Sequence, residues 1–98
     1  MEYADIELRL KGSLLNTISK TVTVAEAVLL EKINGEGAIA NVQVKGLVEW
    51  DDKRERERLV PEYGNDIVNG SYPGTTPLPK TFVAAGLVEA PVEKSKKG

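Results

Sequence analysis

The chain has 98 residues, and its 13 Lys plus Arg and 15 Asp plus Glu give a formal net charge of -2. It contains no cysteine and no histidine, which excludes disulfides, thiol nucleophiles, Cys or His zinc sites and a histidine general base. The length fits one domain, and the slightly acidic balance disfavours a dedicated DNA-binding domain, whose surface is basic.

The first part of the chain predicts a β-hairpin. Residues 3–11 alternate apolar and charged side chains, and this period of two is typical of a half-buried strand. Gly12 and Ser13 break the pattern, so residues 14–16 form the tip of the connection. Residues 17–22 are rich in β-branched side chains and predict a second strand that pairs with the first.

A capping-box spacing then predicts a helix over Val24 to Ile33. The Thr23 hydroxyl accepts a hydrogen bond from a first-turn N–H, and the Glu26 carboxylate reaches back to the N–H of the cap residue. Asn34 and Gly35 supply the stop signal.

A third strand is predicted from residue 38 to residue 50, because apolar and polar side chains alternate along this run. Its apolar side chains are expected on one face and are Ala38, Ala40, Val42, Val44, Val48 and Trp50. Gly46 interrupts the run and indicates a bulge or a close approach of another group to the backbone.

A second, charged helix follows, with Asp51 and Asp52 as its cap. Residues 53–58 are all charged, so we expect solvent on almost every side of this segment and weak ion pairs four residues apart, such as Asp52 with Arg56. Pro61 lacks an N–H group and predicts that the helix ends or kinks there, with Gly64 after it.

The remaining chain predicts an extended segment rather than regular structure. Glycine and proline punctuate residues 65–79, and residues 81–83 form a short strand or a single helical turn. We expect one α+β domain over residues 1–88, with an irregular segment at 64–80, and a disordered charged tail over 89–98. Its sheet is small and mainly antiparallel with the first helix packed on one face; the neighbour relation of the second and third strands stays open.

The acidic residues suggest no catalytic pair. They are spread along the chain, and nearly all lie at positions where the pattern of apolar and polar residues predicts solvent exposure. They therefore lack the apolar surroundings that raise the pKa of a carboxyl group. Without His, Cys or a phosphate-binding loop, we predict a non-catalytic protein with no cofactor and no metal. Glu49, Asp51 and Asp52 are oxygen ligands for a hard cation in principle, but no EF-hand loop accompanies them and we favour the helix cap.

Nucleic-acid binding is a less favoured alternative. The basic side chains of residues 53–58 alternate with Glu55 and Glu57, and no aromatic stacking platform accompanies them or the tail lysines.

No apolar stretch approaches the ~20 residues of a membrane span. The first five residues show no basic or apolar leader, so we expect synthesis in the cytoplasm without a signal peptide.

Protein binding has better candidate residues. Val24 and Val28 point toward the polar side of the first helix, and Trp50 lies at a strand end; either a partner or another part of this chain covers them. The 65–79 segment is either a surface loop or an arm that lies across a neighbour. The predicted protein-binding residues are Val24, Val28, Trp50, Ile67, Val68, Tyr72 and Leu78.

The arrangement of motifs between residues 21 and 74 resembles that of small proteins encoded among tailed-bacteriophage structural genes. Those motifs are the run at residues 21–30, Ile33-Asn34-Gly35, the charged run at residues 55–59, Tyr63-Gly64 and Tyr72-Pro73-Gly74. The resemblance implies a virion accessory role, such as a head decoration or cement protein present in many copies, and it carries no catalytic residues.

The leading hypothesis is therefore a non-catalytic virion assembly protein that binds capsid or other virion subunits and is located in the virion. The alternative is a small regulator or inhibitor that binds a host or phage enzyme. Size and acidic balance suit either role, and a homo-oligomer is compatible with the first.

Overall fold

The computed structural model describes residues 1–10 and 16–88. Its elements, in chain order, are β1 (Glu2–Arg9), β2 (Thr17–Thr23), α1 (Val24–Asn34), β3 (Ile39–Leu47), α2 (Asp52–Tyr63) and α3 (Asn65–Ser71). The sheet has the order β2-β1-β3, with both pairings antiparallel, which confirms the predicted α+β class. The predictions for residues 11–15 and for the tail at 89–98 lie outside the described residues. No helix in the described ranges is long and apolar enough to cross a membrane.

The predicted hairpin forms, and β1 becomes the central strand. β1 and β2 pair without a break in register from Tyr3–Thr23 to Arg9–Thr17. The alternation in β1 places Ala4, Ile6 and Leu8 in the core, as a strand that is half buried requires. Because β1 lies between them, β2 and β3 are not neighbours.

The prediction of one continuous apolar face for β3 is wrong. The pairing with β1 shifts register twice, so β3 holds extra residues near Asn41 and at Lys45. Asn41 has a φ of 53°, a left-handed conformation that asparagine tolerates. The register places Ala40 opposite the exposed Glu7 and Val44 opposite the buried Ala4, so the apolar residues of β3 are divided between the two faces. Val44 is nevertheless 47% exposed. Gly46 follows Lys45, and a Cβ added there would lie 3.2 Å from Tyr3 Cε1, so the glycine marks both a bulge and a close approach.

α1 lies between two parts of the core, which explains why it is apolar on more than one side. Val24, Ala27 and Leu30 join the cluster formed with the sheet and Phe82. Ala25 and Leu29 join a second cluster, built with the two later helices and the segment after them. The second cluster also contains Leu59, Val68, Tyr72 and Leu78. The wide apolar arc is therefore covered from within the chain.

α2 begins as predicted but does not end at Pro61. Asp51 is the N-cap, and its Oδ1 accepts a hydrogen bond of 2.9 Å from the Arg54 N–H. The helix continues through Pro61 to Tyr63, and Gly64 follows it. Proline removes one helical hydrogen bond, to the carbonyl of Glu57, and Glu57 is exposed so that water can bind this carbonyl instead.

The prediction of an irregular segment from residue 65 is wrong for its first half, because α3 occupies Asn65–Ser71. Val68 is buried in the second cluster, and its carbonyl accepts a hydrogen bond of 2.8 Å from Tyr72 N–H. Tertiary packing of this residue thus outweighs the turn signal of Asn69 and Gly70.

The chain then forms one helical turn near Phe82, which is one of the two alternatives predicted there. Ala85 N–H donates to the Thr81 carbonyl at 3.1 Å, and Thr81 Oγ1 accepts from Ala84 N–H at 2.9 Å. Phe82 is 1% exposed and belongs to the cluster on the sheet side of α1.

Candidate functional site

A buried network of polar side chains joins the start of α1 to α2. Its centre is Glu55, which is completely buried on α2. The Glu55 carboxylate accepts hydrogen bonds from Trp50 Nε1 at 3.0 Å and from Arg58 Nε at 2.8 Å, and it also accepts from the Thr23 hydroxyl. Both carboxylate oxygens are therefore bonded within the chain.

Glu26 on α1 is the second buried carboxylate of this network, with 4% of its surface exposed. Its two oxygens accept hydrogen bonds from Arg58 Nη2 at 3.0 Å and from the Tyr63 hydroxyl at 2.6 Å. Arg58 also donates from Nη2 to Glu55 at 2.8 Å, so one guanidinium group bridges two carboxylates on different helices.

The electrostatics of the network keep Glu55 and Arg58 ionised. Burial alone would raise the pKa of Glu55, but the hydrogen bonds from Arg58, Thr23 and Trp50 outweigh it and lower this pKa below its usual value. The hydrogen bond to Glu55 raises the pKa of Arg58, and burial together with Glu26 raises the pKa of Tyr63. General acid–base catalysis needs a group that titrates near neutral pH, whereas Glu55 is held as a bonded anion. The arrangement is suited to fixing α2 against α1.

Sequence reasoning missed both buried carboxylates. Glu55 belongs to the charged run that was predicted to be solvated. However, it lies four residues before the buried Leu59 and therefore on the same face of the helix. This spacing is the sequence signal that would have indicated that Glu55 is buried. The capping box predicted that Glu26 reaches back to the N–H of Thr23; its carboxylate binds Arg58 and Tyr63 instead. The other half of the box is confirmed, because Thr23 Oγ1 accepts from Glu26 N–H at 3.2 Å.

The acidic group at the start of α2 also serves the fold. Asp51 caps the helix, while Asp52 accepts a hydrogen bond of 3.1 Å from Leu78 N–H and pairs with Lys80. Burial opposes ionisation of Asp52, but these bonds outweigh it and lower its pKa. Arg56, the predicted partner of Asp52, donates instead to the carbonyls of Tyr72, at 2.6 Å, and of Thr76.

Four of the predicted protein-binding residues are buried in the chain's own core. They are Val24, Val68, Tyr72 and Leu78. Of the two alternatives for Val24, cover by another part of this chain is confirmed, because Val24 packs in the cluster that contains Phe82. Tyr72 also donates its hydroxyl to the carbonyl of Ala25 at 2.9 Å, which fixes α1 to the segment after α3.

The other three predicted residues, Val28, Trp50 and Ile67, remain partly exposed. Trp50 has its indole N–H on Glu55, and the Arg54 guanidinium lies 5.1 Å from the centre of its ring. A pocket of about 200 Å³ opens beside Trp50, between Tyr3 and Arg58. Val28 and Ile67 pack at the margin of the second cluster.

The most exposed large apolar side chains of the strands were not among the predicted site residues. Leu47 is 69% exposed at the end of β3, Val44 is 47% exposed in the same strand, and Ile18 is 44% exposed in β2. Val44 lies opposite Ala4 on the core face, so alternation alone does not show its exposure, whereas Leu47 is out of phase with the predicted apolar face.

Comparison with known proteins does not assign a function to this site. No protein-family model matches the chain, and searches of curated proteins and of solved structures found no match. Function is therefore inferred from the buried network, the exposed strand residues and the sequence resemblance described above.

Proposed function

We propose that the chain is a non-catalytic virion assembly protein, a multi-copy capsid decoration or head accessory subunit that binds other virion proteins. The observation that carries the proposal is the exposure of apolar side chains on both edge strands of the sheet, with Leu47 69% and Ile18 44% exposed. Apolar side chains in such positions lose unfavourable contact with water when a partner covers them.

The chemistry of the buried acids supports a non-catalytic role. Glu26 and Glu55 are the two buried carboxylates in the described residues, and each has both oxygens bonded inside the chain. A catalytic carboxylate has to reach the substrate with at least one oxygen. These two hold α1 and α2 together instead.

The resemblance to proteins encoded among phage structural genes supplies the virion setting of the proposal. The partly exposed Val28, Trp50 and Ile67 extend the set of candidate contact residues beyond the strands. A decoration subunit binds repeated sites on a shell, so its contacts need to be present on the folded subunit before binding.

The test is size-exclusion chromatography with light scattering on the full chain, with and without assembled phage head shells. We expect the chain to elute with the shells at a fixed number of copies per shell subunit. The variant Leu47→Ser should weaken binding without loss of folded structure, because Leu47 is largely exposed. Val83→Ser is the matched control, since Val83 is also exposed but lies in the segment after α3.

A chain that stays monomeric and never elutes with shells would contradict the proposal. Capture of one stoichiometric host or phage enzyme under the same conditions would favour a regulator or inhibitor instead.

A further inference from the structure

The outer edge of β2 has free backbone groups. In an antiparallel pair, alternate residues direct both their N–H and their C=O to the same neighbour. The N–H of Leu10 donates to the carbonyl of Asn16 at 2.8 Å, which fixes the phase of the β1–β2 ladder. The β2 residues bonded to β1 are then Ile18, Lys20 and Val22. The residues that direct N–H and C=O to the open edge are Thr17, Ser19 and Thr21, and no described backbone group bonds to them there.

The two edges of the sheet differ in how well they are protected. β3 shifts register twice and contains Asn41 in a left-handed conformation, and bulges of this kind hinder the addition of another strand. β2 keeps one register over all 7 of its residues and consists mainly of β-branched side chains. β2 is therefore the edge that is able to accept a strand.

The side chains beside this open edge combine an apolar residue with a positive charge. Directly opposite residues of a ladder lie on the same face, so Ile18 lies on the face of Leu8, and Lys20 on the face of Ile6. Ile18 is 44% exposed. Lys20 is partly buried, and the ion pairs of the described residues do not include it.

We propose that the β2 edge binds an antiparallel strand of a partner protein that places a carboxylate opposite Lys20 and an apolar side chain opposite Ile18. Added main-chain hydrogen bonds to Thr17, Ser19 and Thr21 supply the affinity, as in other cases of strand addition. The carboxylate supplies the missing opposite charge. This inference rests on the proposed function, because it names one of the surfaces through which the subunit would bind.

A second copy of the chain fits this edge less well than an acidic strand. β2 contains no acidic residue. A twofold antiparallel pairing centred on Lys20 would place two Lys20 side chains opposite each other, and one centred on Ser19 would place Lys20 opposite Ile18, so neither gives Lys20 an opposite charge. The chain's own β3 offers Lys45 as its charged residue, not a carboxylate. Charge complementarity therefore favours a different protein.

The test uses two capped peptides, Val-Thr-Glu-Thr-Val and its matched form with Lys in place of Glu, titrated into the ¹⁵N-labelled full chain. We expect the Glu peptide to shift and protect the amides of Thr17, Ser19 and Thr21, and the Lys peptide to bind about tenfold more weakly or not at all. Ser19→Pro removes an outward N–H, which edge strands tolerate, and should weaken binding about tenfold. Ser19→Ala keeps the N–H and should bind like the unchanged chain.

Lys20→Glu is a second variant that tests the inference even if Ser19→Pro does not fold. We expect Lys20→Glu to bind the Lys peptide more tightly than the Glu peptide, which reverses the preference of the unchanged chain. Equal binding of both peptides, an absence of amide shifts along β2, or a β2-mediated homodimer would each overturn the inference. If the chain binds shells and the Ser19→Pro and Lys20→Glu variants bind them equally well, the proposed function stands and the β2 site is wrong. If the peptides bind as expected but shells never do, the β2 site stands and the virion role is wrong.

Discussion

Thr23 joins two features of the molecule through one side-chain oxygen. Its Oγ1 accepts from Glu26 N–H at the start of α1 and donates to the buried Glu55 carboxylate. Removing it takes away a helix cap and also leaves a buried acceptor with one donor fewer. The two losses have different physical origins and act at the same position.

We therefore expect Thr23→Ala to lower the free energy of unfolding by about 2–3 kcal/mol, more than the ~1 kcal/mol of an ordinary cap. Thr23→Ser retains the hydroxyl and should cost well under half of that. Chemical denaturation of the three proteins measures the difference. A loss of less than about 0.5 kcal/mol in the alanine variant would mean that the hydroxyl contributes neither interaction.

The pKa of Glu55 makes stability depend on pH in a definite direction. Because hydrogen bonds lower this pKa in the folded protein, the unfolded chain binds the proton more readily, and stability rises with pH between the two pKa values. The contribution is complete above the unfolded glutamate pKa of about 4.3 and is lost as the pH falls through the lower, folded value. Asp52, whose pKa is also lowered, acts in the same direction.

We expect thermal midpoints to change little from pH 7 to about pH 5 and to fall below that. Glu55→Gln should show a shallower fall in acid, because the group that titrates has been removed. Glu57→Gln, on the exposed side of the same helix, should follow the unchanged protein. Identical acid dependence in Glu55→Gln would show that another group controls acid unfolding.

Among the helices and strands, local sequence signals predicted the structure correctly where interactions between residues close in sequence determine it. The sequence predicted the β1 strand from its alternation and the helix N-caps at Thr23 and Asp51, and the structure confirms all three. Each of them depends on contacts within a few residues of the signal. The pairing of β1 with β2 was predicted as well, but its register was not.

Predictions from local sequence patterns were wrong where contacts with distant residues determine the structure or the burial of a side chain. The Asn69-Gly70 turn signal lies inside α3, because packing of Val68 against α1 and α2 residues overrides it. Glu55 was predicted to be solvated because its partner Thr23 comes from a distant part of the chain. Whether a partner or the chain itself covers Val24 stayed open in the sequence, because its cover comes from the sheet and from the distant Phe82. Periodicity within one element does not report what the rest of the chain brings to it.

For the whole molecule, the segment after α3 completes the core. Phe82 is 1% exposed and packs with β1, β2 and α1 residues, while Arg56 and Asp52 bind the backbone of residues 72–78. Glu2 adds a contact from the first strand, since its Oε1 accepts from the Phe82 N–H at 2.8 Å. The 65–79 segment, for which a surface loop and a partner-binding arm were the two alternatives, thus packs largely against the chain itself.

We expect Phe82→Ala to lower the free energy of unfolding by about 3–5 kcal/mol, the usual cost of removing a buried aromatic side chain. Val83→Ala, next to it and 42% exposed, should change stability by no more than about 0.5 kcal/mol. Urea unfolding of both variants measures this contrast. Similar small losses in both would mean that residues 81–86 do not pack in the core.

We propose that this chain is a non-catalytic subunit that binds a virion shell through exposed apolar residues of its sheet edges. Light scattering of head shells incubated with the chain tests it most directly. We expect a saturable gain in shell mass that corresponds to a fixed copy number and that decreases with Leu47→Ser but not with Val83→Ser. No gain in mass at saturating concentration, with the chain monomeric throughout, would contradict it.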